Sequence, residues 1–508
     1  MNRHNTFPRF PIDRATLPGD KFVVIFSIIV VIIATLYPFN FHVTHVLSFK
    51  EIIDSFNNLS FFQDQVNNIL LFMPLGFSLA SILQRKRINL IGQAILVMLL
   101  SALLSASVEV LQIFVPSRMP TIADIVNNSI GGLVGFLCFY LGYSSGFTFT
   151  LVNLEKSQVR KYKSKVTLFL TGYILLAFII SLFWQSTTNF NSWIFDYPLV
   201  IGNERDGNRH WEGYISQLNI TDRAISQQEV SQILNNQGSW EKIKTPLLAD
   251  YDFTSKNKYL DKYPDKTGNL PELIWHEKAA NNQNENRVYL SEKNWLETKA
   301  PVSKLNQRIS QTSEFSLSAT MAAANAKQKG PARIISLSGD ATHRNFTLGQ
   351  NGNNLDIRLR TQITGENGAD IELAVPKIFT DAKPHNLIIT YSRANLQVYV
   401  DNLQNFSSFN LLDLMPKQQK IFYSALSFIP LGICLAILTS LTKRQVIFYW
   451  SSLAFGILLP SLILEGVLVA EAGKNLSWKT LLISVLFTAG TMTIFRVRAL
   501  LATHWQRM

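Results

Sequence analysis

The chain has 508 residues, of which 47% are hydrophobic, with a mean hydropathy of +0.13 and a net charge of +12. It is too long for one ordinary domain and too apolar for an average soluble protein. The basic excess does not indicate nucleic acid, because residues 185–419 hold 25 basic and 25 acidic side chains, and the remaining, apolar segments hold 22 and 10.

Eight apolar runs are long enough to cross a membrane, because a helix needs about 20 apolar residues to span a hydrocarbon core of about 30 Å. We read the first run as an uncleaved anchor, since IIATLYPFNF offers no small-residue cleavage site. The sequence therefore predicts a polytopic α-helical membrane protein of about eight spans, with the lipid bilayer as its first partner. The spans lie near residues 22–39, 66–84, 89–114, 125–145, 166–184, 421–441, 445–470 and 479–495.

The basic residues of the short loops predict the orientation of the chain. If the N-terminus is cytoplasmic, 17 of the 22 basic residues outside the neutral block fall on the cytoplasmic side. We expect both termini inside and residues 186–412 outside. The predicted segments are an N-terminal cytoplasmic segment 1–21, a membrane domain 22–145, a basic cytoplasmic loop 146–165, a fifth span 166–184, the exported block 186–412, a second membrane unit 421–495 and a cytoplasmic tail 496–508.

Two short stretches indicate an internal repeat. FMPLG at 72–76 and FIPLG at 428–432 are 356 residues apart. The same offset relates two further pairs: Glu109 with Glu465, and Arg118 with Lys474. We therefore predict a four-plus-four parallel repeat, with the exported block inserted between spans 5 and 6.

The second copy of this repeat has lost amides and a carboxylate that the first copy carries. The first copy is therefore expected to be the active one, and the second to be scaffold. The matching positions are Gln112 and Leu468, Asp124 and Thr480, Asn128 and Ser484, and Asn68 and Ser424.

A polar cluster interrupts the third and fourth spans between residues 107 and 132. Glu109 lies inside a span, where an isolated charge costs several kcal/mol, so it should face the bundle interior. Arg118 is the nearest cation and the expected partner of Glu109. Asp124 is expected to cap the fourth span, and Asn128 to bond across helices. Ser101, Ser105, Glu109 and Gln112 recur at helical spacing and should share one face.

Two interpretations of this cluster stay open at this point. It is either a buried network that fixes helix register, or a polar pocket for a lipid headgroup or a sugar-phosphate. Arg118 would then contact the anion and Glu109 would exchange a proton. A hydrolytic enzyme is disfavoured because no Ser-His-Asp or Cys-His set and no His-rich metal cluster accompanies the spans, so no catalytic residue and no metal is assigned.

The motifs NILLFMPLGF, S-x-E-x-x-Q-x-F-x-P-x-R and DIVNNSIGG closely resemble the VanZ-like family of bacterial membrane proteins, over roughly residues 22–145. The family name is associated with resistance to the glycopeptide antibiotic teicoplanin. The resemblance implies a multi-pass protein of the bacterial cytoplasmic membrane that acts at the cell envelope. The matching positions are Asn68, Phe72, Pro74, Gly76, Glu109, Gln112, Arg118, Asp124, Asn128 and Gly131.

The exported block alternates apolar and polar residues over short runs, as in RIISLSG and NLQVYVDN, which predicts an all-β sandwich. Its segments resemble a LamG-type, concanavalin A-like jelly roll whose closing strands come first, so the module is expected to be circularly permuted. Such modules often bind carbohydrate, sometimes with Ca²⁺. We favour a polar loop over a Ca²⁺ site for GNERDGN at 202–208, and core positions over sugar platforms for Trp193, Trp211 and Trp275.

The leading hypothesis is therefore a VanZ-like envelope protein that displays a glycan-binding domain outward. Its expected partners are an envelope glycan, a glycolipid or a peptidoglycan precursor. Transport or flipping of a lipid-linked precursor is the first alternative. A membrane-anchored adhesive or structural protein is the second.

Overall fold

The computed structural model describes residues 19–42, 56, 62–86, 88–116, 118, 120–143, 146–156, 163–235, 240, 243, 245–254, 262–276, 283–284, 287–328, 330–443 and 446–505. The chain divides into two compact units. The first comprises Met1–Tyr173, Phe428–Leu458 and Val485–Met508, and the second Ile174–Ser427 and Leu459–Ser484.

The helices follow the apolar runs closely. Their bounds are α1 Asp20–Leu36, α2 Phe62–Gln84, α3 Leu90–Gln112, α4 Ile122–Leu137 with a π-helical turn Cys138–Tyr143, α5 Gly146–Lys156, α6 Lys163–Ser186, α7 Gln227–Asn235, α8 Ser303–Thr312, α9 Leu411–Leu414, α10 Lys417–Thr442, α11 Val446–Ala472 and α12 Trp478–Trp505.

Seven helices of the described chain are long and apolar enough to cross a membrane: α2, α3, α4 with its π-helical turn, α6, α10, α11 and α12. They coincide with the second to eighth predicted spans and confirm a multi-pass membrane protein. The first predicted span is the helix α1, but its 17 residues reach only about 25 Å at 1.5 Å per residue. A count of eight spans therefore stays a prediction.

Glycines bring α2 and α4 into backbone contact in the first unit. A Cβ on Gly76 would lie 1.9 Å from the carbonyl oxygen of Gly132, and one on Gly135 would lie 2.0 Å from that of Met73. Small residues allow helices to approach this closely, and in a membrane such contacts replace the hydrophobic drive for association. The paired glycines of the DIVNNSIGG motif have the same packing role: a Cβ on Gly131 would lie 2.5 Å from the carbonyl oxygen of Ile69, and one on Gly132 would lie 2.1 Å from Ser101 Oγ.

The predicted basic loop 146–165 contains the helix α5, which the sequence did not suggest. Phe147 and Leu151 of α5 pack against Phe495 and Ala499. Phe495 and Ala499 belong to α12, which extends to Trp505, beyond the predicted end of the last span at residue 495.

Two ion pairs support this packing. Glu155 of α5 forms ion pairs with Lys443, at 2.6 Å, and with Arg496. From the sequence, these two basic residues counted only among the 17 that indicate membrane orientation.

The inserted block folds into two antiparallel sheets, as expected for a β-sandwich. One sheet has the order β13-β12-β11-β10-β1-β8-β5-β4, and the other β16-β15-β14-β9-β2-β7-β6, with β3 also paired to β2. The strands are β1 Leu199–Ile201, β2 Gly213–Thr221, β3 Ala249–Asp252, β4 Lys262–Tyr263, β5 Leu273–Trp275, β6 Gln283–Asn284, β7 Arg287–Leu290, β8 Leu296–Thr298, β9 Phe315–Ala323, β10 Ala332–Ser338, β11 Arg344–Asn351, β12 Asn354–Leu359, β13 Leu373–Val375, β14 His385–Ser392, β15 Asn395–Val400 and β16 Asn402–Asn410.

The sandwich core lies between the apolar faces of the two sheets. Phe315 of β9 and Phe346 of β11 meet edge to face, with ring centroids 5.4 Å apart. Trp193 and Trp211 are buried, in agreement with the core positions expected for them, and Trp275 is half-buried.

Hydrogen bonds join the sandwich to the end of α11 within the second unit. The side-chain amides of Asn395 and Asn410 both donate to the carbonyl oxygen of Ala472, at 2.7 and 2.8 Å. Arg393 pairs with Glu471 at 3.2 Å. The last carbonyls of a helix have no partner within the helix, so these side chains satisfy groups that would otherwise be left open.

Candidate functional site

The polar residues of α3 lie on one buried face, as their spacing predicts. Ser101 and Ser105 are fully buried, and Glu109 is only 2% exposed. Gln112, one turn further, is also buried and donates to the carbonyl oxygen of Thr35 at 3.1 Å. This face is therefore turned into the helix bundle.

Glu109 fixes the start of α4. Its carboxylate accepts a hydrogen bond from the backbone N–H of Thr121 at 2.9 Å. The Thr121 hydroxyl in turn accepts from the N–H of Asp124 at 2.9 Å, which makes Thr121 the N-cap residue. The expectation that Asp124 is the cap was therefore wrong: the helix begins three residues earlier than predicted, and Asp124 lies in its first turn.

Arg118 does not bind Glu109, contrary to the expected ion pair. Its guanidinium donates to the carbonyl oxygens of Ala34 and Tyr37, at 3.1 and 3.2 Å. These carbonyls lie at the C-terminal end of α1, where unpaired acceptors and the helix dipole attract a cation. None of the ion pairs among the described residues involves Glu109.

Asn128 is the polar residue that links α3 and α4. Its side-chain amide donates to the Ser105 hydroxyl at 2.8 Å, so the predicted bond across helices is present. The Asn128 side-chain oxygen and the Ser101 hydroxyl are buried and accept or donate no hydrogen bond within the structure. Two buried polar atoms of neighbouring helices thus lack a hydrogen-bond partner among the described residues.

Asn68 brings α2 to the same region. It is half-buried and precedes Ile69, whose backbone oxygen would lie 2.5 Å from a Cβ on Gly131. Gly131 follows Asn128 by about one turn of α4, so Asn68 lies close to the level of Asn128 along the bundle. Three helices therefore contribute polar side chains to one part of the domain.

The polar groups of this cluster are suited to hydrogen bonding with an uncharged or hydroxylated group, with the carboxylate of Glu109 close by. An amide oxygen and a hydroxyl can bind O–H or N–H groups, and Glu109 can exchange a proton. No group of three His, Cys, Asp or Glu side chains in the described part of the chain could hold a metal ion.

One ionic contact of this domain was missed from the sequence. Asp20, at the start of α1, is buried and binds Arg85 at 2.5 Å and the Ser81 hydroxyl at 3.2 Å. From the sequence, Arg85 counted only among the 17 basic residues that indicate membrane orientation. An aspartate immediately before a long apolar run was the available indication, because a carboxylate at a helix N-terminus is favoured by the dipole.

Glu465 of α11, which the predicted repeat aligns with Glu109, has a charged partner that Glu109 lacks among the described residues. Glu465 and Lys474 form a buried ion pair at 2.7 Å, and both side chains are 2% exposed. Glu465 also accepts from the N–H of Ser477 at 3.3 Å, and the Ser477 hydroxyl accepts from the N–H of Thr480 at 3.3 Å. Lys474 therefore binds the carboxylate of Glu465, whereas Arg118, which the predicted repeat aligns with Lys474, binds carbonyl oxygens at the end of α1.

The fold and these contacts define a multi-pass membrane protein with an inserted β-sandwich of two antiparallel sheets. Its first membrane domain concentrates polar side chains where α3 ends and α4 begins. The VanZ/LLP1 family model matches residues 22–143, so this part of the chain is a VanZ/LLP1 domain. No curated protein and no solved structure matches the chain.

Proposed function

We propose that this protein acts at the bacterial cell envelope, where the pocket of α2, α3 and α4 binds the polar part of a lipid-linked precursor or a sugar-phosphate. The observation that carries the proposal is the pair of buried atoms, Asn128 Oδ1 and Ser101 Oγ, that make no hydrogen bond in the structure. The orientation predicted from the basic loops places this pocket on the outer side of the cytoplasmic membrane.

The energetic argument rests on the cost of such atoms. A buried polar atom without a partner costs about 1–3 kcal/mol, and water is scarce inside a membrane domain. A ligand with hydroxyl groups would satisfy Asn128 and Ser101, both of which lie on helices that cross the membrane. Binding would therefore recover free energy that the unliganded domain gives up.

The contacts divide the predicted site residues into two roles. Glu109, Arg118 and Gln112 bind backbone groups of the domain itself, so we assign them to holding α1 and α4 in place. Asn128 and Asn68 are the residues that we assign to the ligand. Asp124, in the first turn of α4, lies at the mouth of the pocket in this proposal.

We assign the β-sandwich to glycan binding at the same envelope. Its two antiparallel sheets support this assignment because sandwiches of this kind commonly present a polar sheet face to a ligand. The LamG-like identity and the circular permutation belong to the proposal.

The test of the membrane pocket is lipid binding by the full-length protein in nanodiscs. Native mass spectrometry would count bound polyprenyl phosphate, and polyprenyl pyrophosphate carrying one sugar, for the wild type and for Asn128→Ala and Ser101→Ala. We expect at least a tenfold loss of affinity in Asn128→Ala. Ser107→Ala is the matched control, since Ser107 lies on α3 but is exposed and bonds only the carbonyl of Leu103. Equal binding by wild type and Asn128→Ala would contradict the proposal.

Movement of a lipid-linked substrate across the membrane is the second candidate, and the internal repeat predicted from the sequence favours it. The backbone contact of Gly76 with Gly132 has a counterpart, 356 residues later, in the contact of Gly432 with Thr488. Parallel repeats are common in transporters, with the substrate site between or within the repeats. Transfer of a fluorescent polyprenyl phosphate between leaflets of proteoliposomes would support this candidate, and binding without transfer would exclude it.

A further inference from the structure

Lysines gather where α10 and α12 begin, at the end of these helices that adjoins the sandwich. In the predicted orientation, five basic residues outside the neutral block fall on the outer side, against the usual preference of basic residues for the cytoplasmic side. Three of these five are Lys420 of α10, Lys474 of the loop after α11, and Lys479 of α12. Membrane orientation does not explain them, because they oppose that preference.

The fold brings these three lysines together within the second compact unit. The charges of Lys474 and Lys479 both act on Lys420 and repel it. The carboxylates of Asp413 and Glu465 act on Lys420 and attract it. Five charged side chains from α9, α10, α11, α12 and one loop therefore form a single cluster.

The chain itself bonds both acids of this cluster. Glu465 is buried with Lys474, so that pair is closed to a ligand. The Asp413 carboxylate accepts from the backbone N–H and the side-chain amide of Asn475, at 3.0 and 2.8 Å. Lys420 is half-buried and donates to the backbone carbonyl oxygen of Asp413 at 2.8 Å. Because an ammonium group has three donors, this bond leaves Lys420 two donors for another molecule.

Two further lysines at this place are exposed. Lys417, the first residue of α10, and Lys479 form no ion pair within the part of the chain that the structure describes. Lys417 lies about one turn before Lys420, so the two share a face of α10. Since Glu465 and Lys474 neutralise each other, these three lysines outnumber the remaining carboxylate, that of Asp413, by two.

The starts of α10 and α12 increase the positive potential. A helix N-terminus carries a partial positive charge and favours acidic side chains or bound anions. Neither α10 nor α12 has an acidic residue in its first turn. Both helices begin instead with the lysines of this cluster, which the dipole disfavours. An anion at this place would therefore be attracted by the lysines and by two helix starts.

The predicted repeat shows that this charge belongs to one copy only. In the first copy, α2 and α4 follow the dipole rule, because Asp64 and Asp124 lie in their first turns. The second copy reverses or removes these charges and adds another, so a common requirement for starting the helices does not account for its lysines. The aligned positions are Asp64 and Lys420, Ala123 and Lys479, and Asp124 and Thr480.

Exposed apolar side chains surround the cluster. Trp478, next to Lys479, is 74% exposed, and Ile421, next to Lys420, is 49% exposed. Leu414 and Leu476 are also exposed. Such side chains on a membrane-spanning helix face lipid, and tryptophan is enriched at the level of the lipid headgroups. The accessible lysines therefore lie where headgroups of the membrane lipids reach them.

We infer that Lys417, Lys420 and Lys479 bind the phosphate group of an anionic lipid in the outer leaflet. The two remaining donors of Lys420 contact the phosphate oxygens, and the exposed Lys417 and Lys479 supply charge beside them. The acyl chains then lie against the apolar side chains around the cluster. This inference goes beyond the proposed function, because it gives a ligand to the second copy of the repeat, which the sequence predicts to be scaffold.

The experiment compares two phospholipids with the same acyl chains. Native mass spectrometry of the full-length protein in detergent would be used to titrate phosphatidylglycerol, which is anionic, and phosphatidylcholine, whose choline neutralises its phosphate. We expect phosphatidylglycerol to bind at least fivefold more tightly, with affinity that falls as ammonium acetate is raised. Lys420→Gln should weaken this binding at least fivefold, and Lys479→Glu should reduce it to the level of phosphatidylcholine.

The matched control is Lys377→Gln, which removes an exposed lysine of the sandwich. Its backbone N–H bonds Asn354 at the start of β12, whereas the chain beyond the other end of that strand contacts α10 through Ile363 and Gln419. Binding should be unchanged in this variant. Tryptophan fluorescence checks folding, and if Lys420→Gln unfolds, the exposed position of Lys479→Glu decides. Full-strength binding of phosphatidylglycerol by folded Lys479→Glu overturns the site, and so does equal binding of the two phospholipids by the wild type.

Two further ligands distinguish the source of the phosphate. Polyprenyl phosphate that binds more tightly than phosphatidylglycerol, and is weakened by Lys479→Glu, would support the site with a lipid-linked phosphate as its occupant. Inorganic phosphate that binds as tightly as either lipid would overturn a lipid ligand. Asn128→Ala should leave phosphatidylglycerol binding unchanged, so failure of the pocket of α2, α3 and α4 and failure of this site are separate results.

Discussion

In α2–α4 the buried Glu109 accepts the N–H of Thr121, and in α10–α12 the buried Glu465 accepts the N–H of Ser477. Each hydroxyl residue then caps the next helix. The two groups differ in the cation: Lys474 binds Glu465 directly, whereas Arg118 binds the end of α1. The shared hydrogen bond therefore connects one helix to the start of the next. The two groups differ in whether a cation neutralises the buried carboxylate.

This comparison gives a structural explanation for the features that the two groups of helices share. A glutamate present in both groups is explained by the helix start that it holds. Asn128, which the predicted repeat aligns with Ser484, is not explained in this way. We therefore propose that ligand binding depends on the residues in which the two groups differ, such as Asn128.

The largest loss in the free energy of unfolding is expected from breaking the ion pair of Glu465 and Lys474. Lys474→Met leaves Glu465 buried without its cation, which costs about 3–5 kcal/mol in buried pairs. Thermal unfolding of the purified protein in detergent, followed by tryptophan fluorescence, measures the loss. The double variant Glu465→Gln/Lys474→Met should recover most of it.

Arg118→Met is the matched change in the first group. It removes two hydrogen bonds from a half-buried side chain and should cost less than Lys474→Met, about 1.5–3 kcal/mol. A loss as large as that of Lys474→Met would mean that Arg118 also neutralises a buried acid.

The next largest loss in the free energy of unfolding is expected where glycines bring two helices into contact. Gly76→Ala places a Cβ against the backbone of Gly132, which cannot rotate away, and should cost about 1–3 kcal/mol. Gly432→Ala should cost less, because its Cβ would lie 2.7 Å from the backbone oxygen of Thr488, compared with 1.9 Å between the Cβ of Gly76→Ala and the oxygen of Gly132. The same unfolding measurement applies, with Gly172→Ala as control, since a Cβ there meets no atom within 4 Å.

A smaller and equal effect is expected at the two helix caps. Thr121→Ala and Ser477→Ala each remove the hydroxyl that accepts the N–H of the third residue of the next helix, at a cost of about 1 kcal/mol. Thr121→Ser keeps the hydroxyl and should keep the melting temperature. If only Thr121→Ala lowers it, the two helix starts are not equivalent.

The smallest effect is expected for Glu109→Gln. The glutamine oxygen still accepts from Thr121, so the change should cost less than about 1 kcal/mol. Glu465→Gln should cost several times more, because Lys474 is left buried without its partner. Equal melting temperatures of these two glutamine variants would argue against the comparison.

The sequence predicted the membrane helices and the sandwich well, because hydropathy and alternation are local properties of the chain. It failed at α5, where charges and short length conceal a helix that is stabilised by Phe495 and Ala499 far along the chain. It also failed at the partner of Arg118, since proximity in sequence suggested Glu109 and the fold supplied Ala34 and Tyr37.

The buried charges of the sandwich, Glu204, Arg333 and Arg344, could not be predicted from the sequence for a related reason. Arg333 and Arg344 belong to a block whose charges balance, which gave no sign that either was buried. Their burial depends on the loop that brings Glu204 beside them, and that loop is separated from β10 by more than a hundred residues. Pairings over such distances are set by the fold and leave no local pattern.

The two asparagine amides on the Ala472 carbonyl have a kinematic consequence. The sandwich is joined covalently to α6 at one end and to α10 at the other, and a body held at two points can still turn about the line between them. Asn395 and Asn410 add a third point of attachment on α11. A rotation of the sandwich about that line would therefore strain these hydrogen bonds and pull on α11, the helix that carries Glu465.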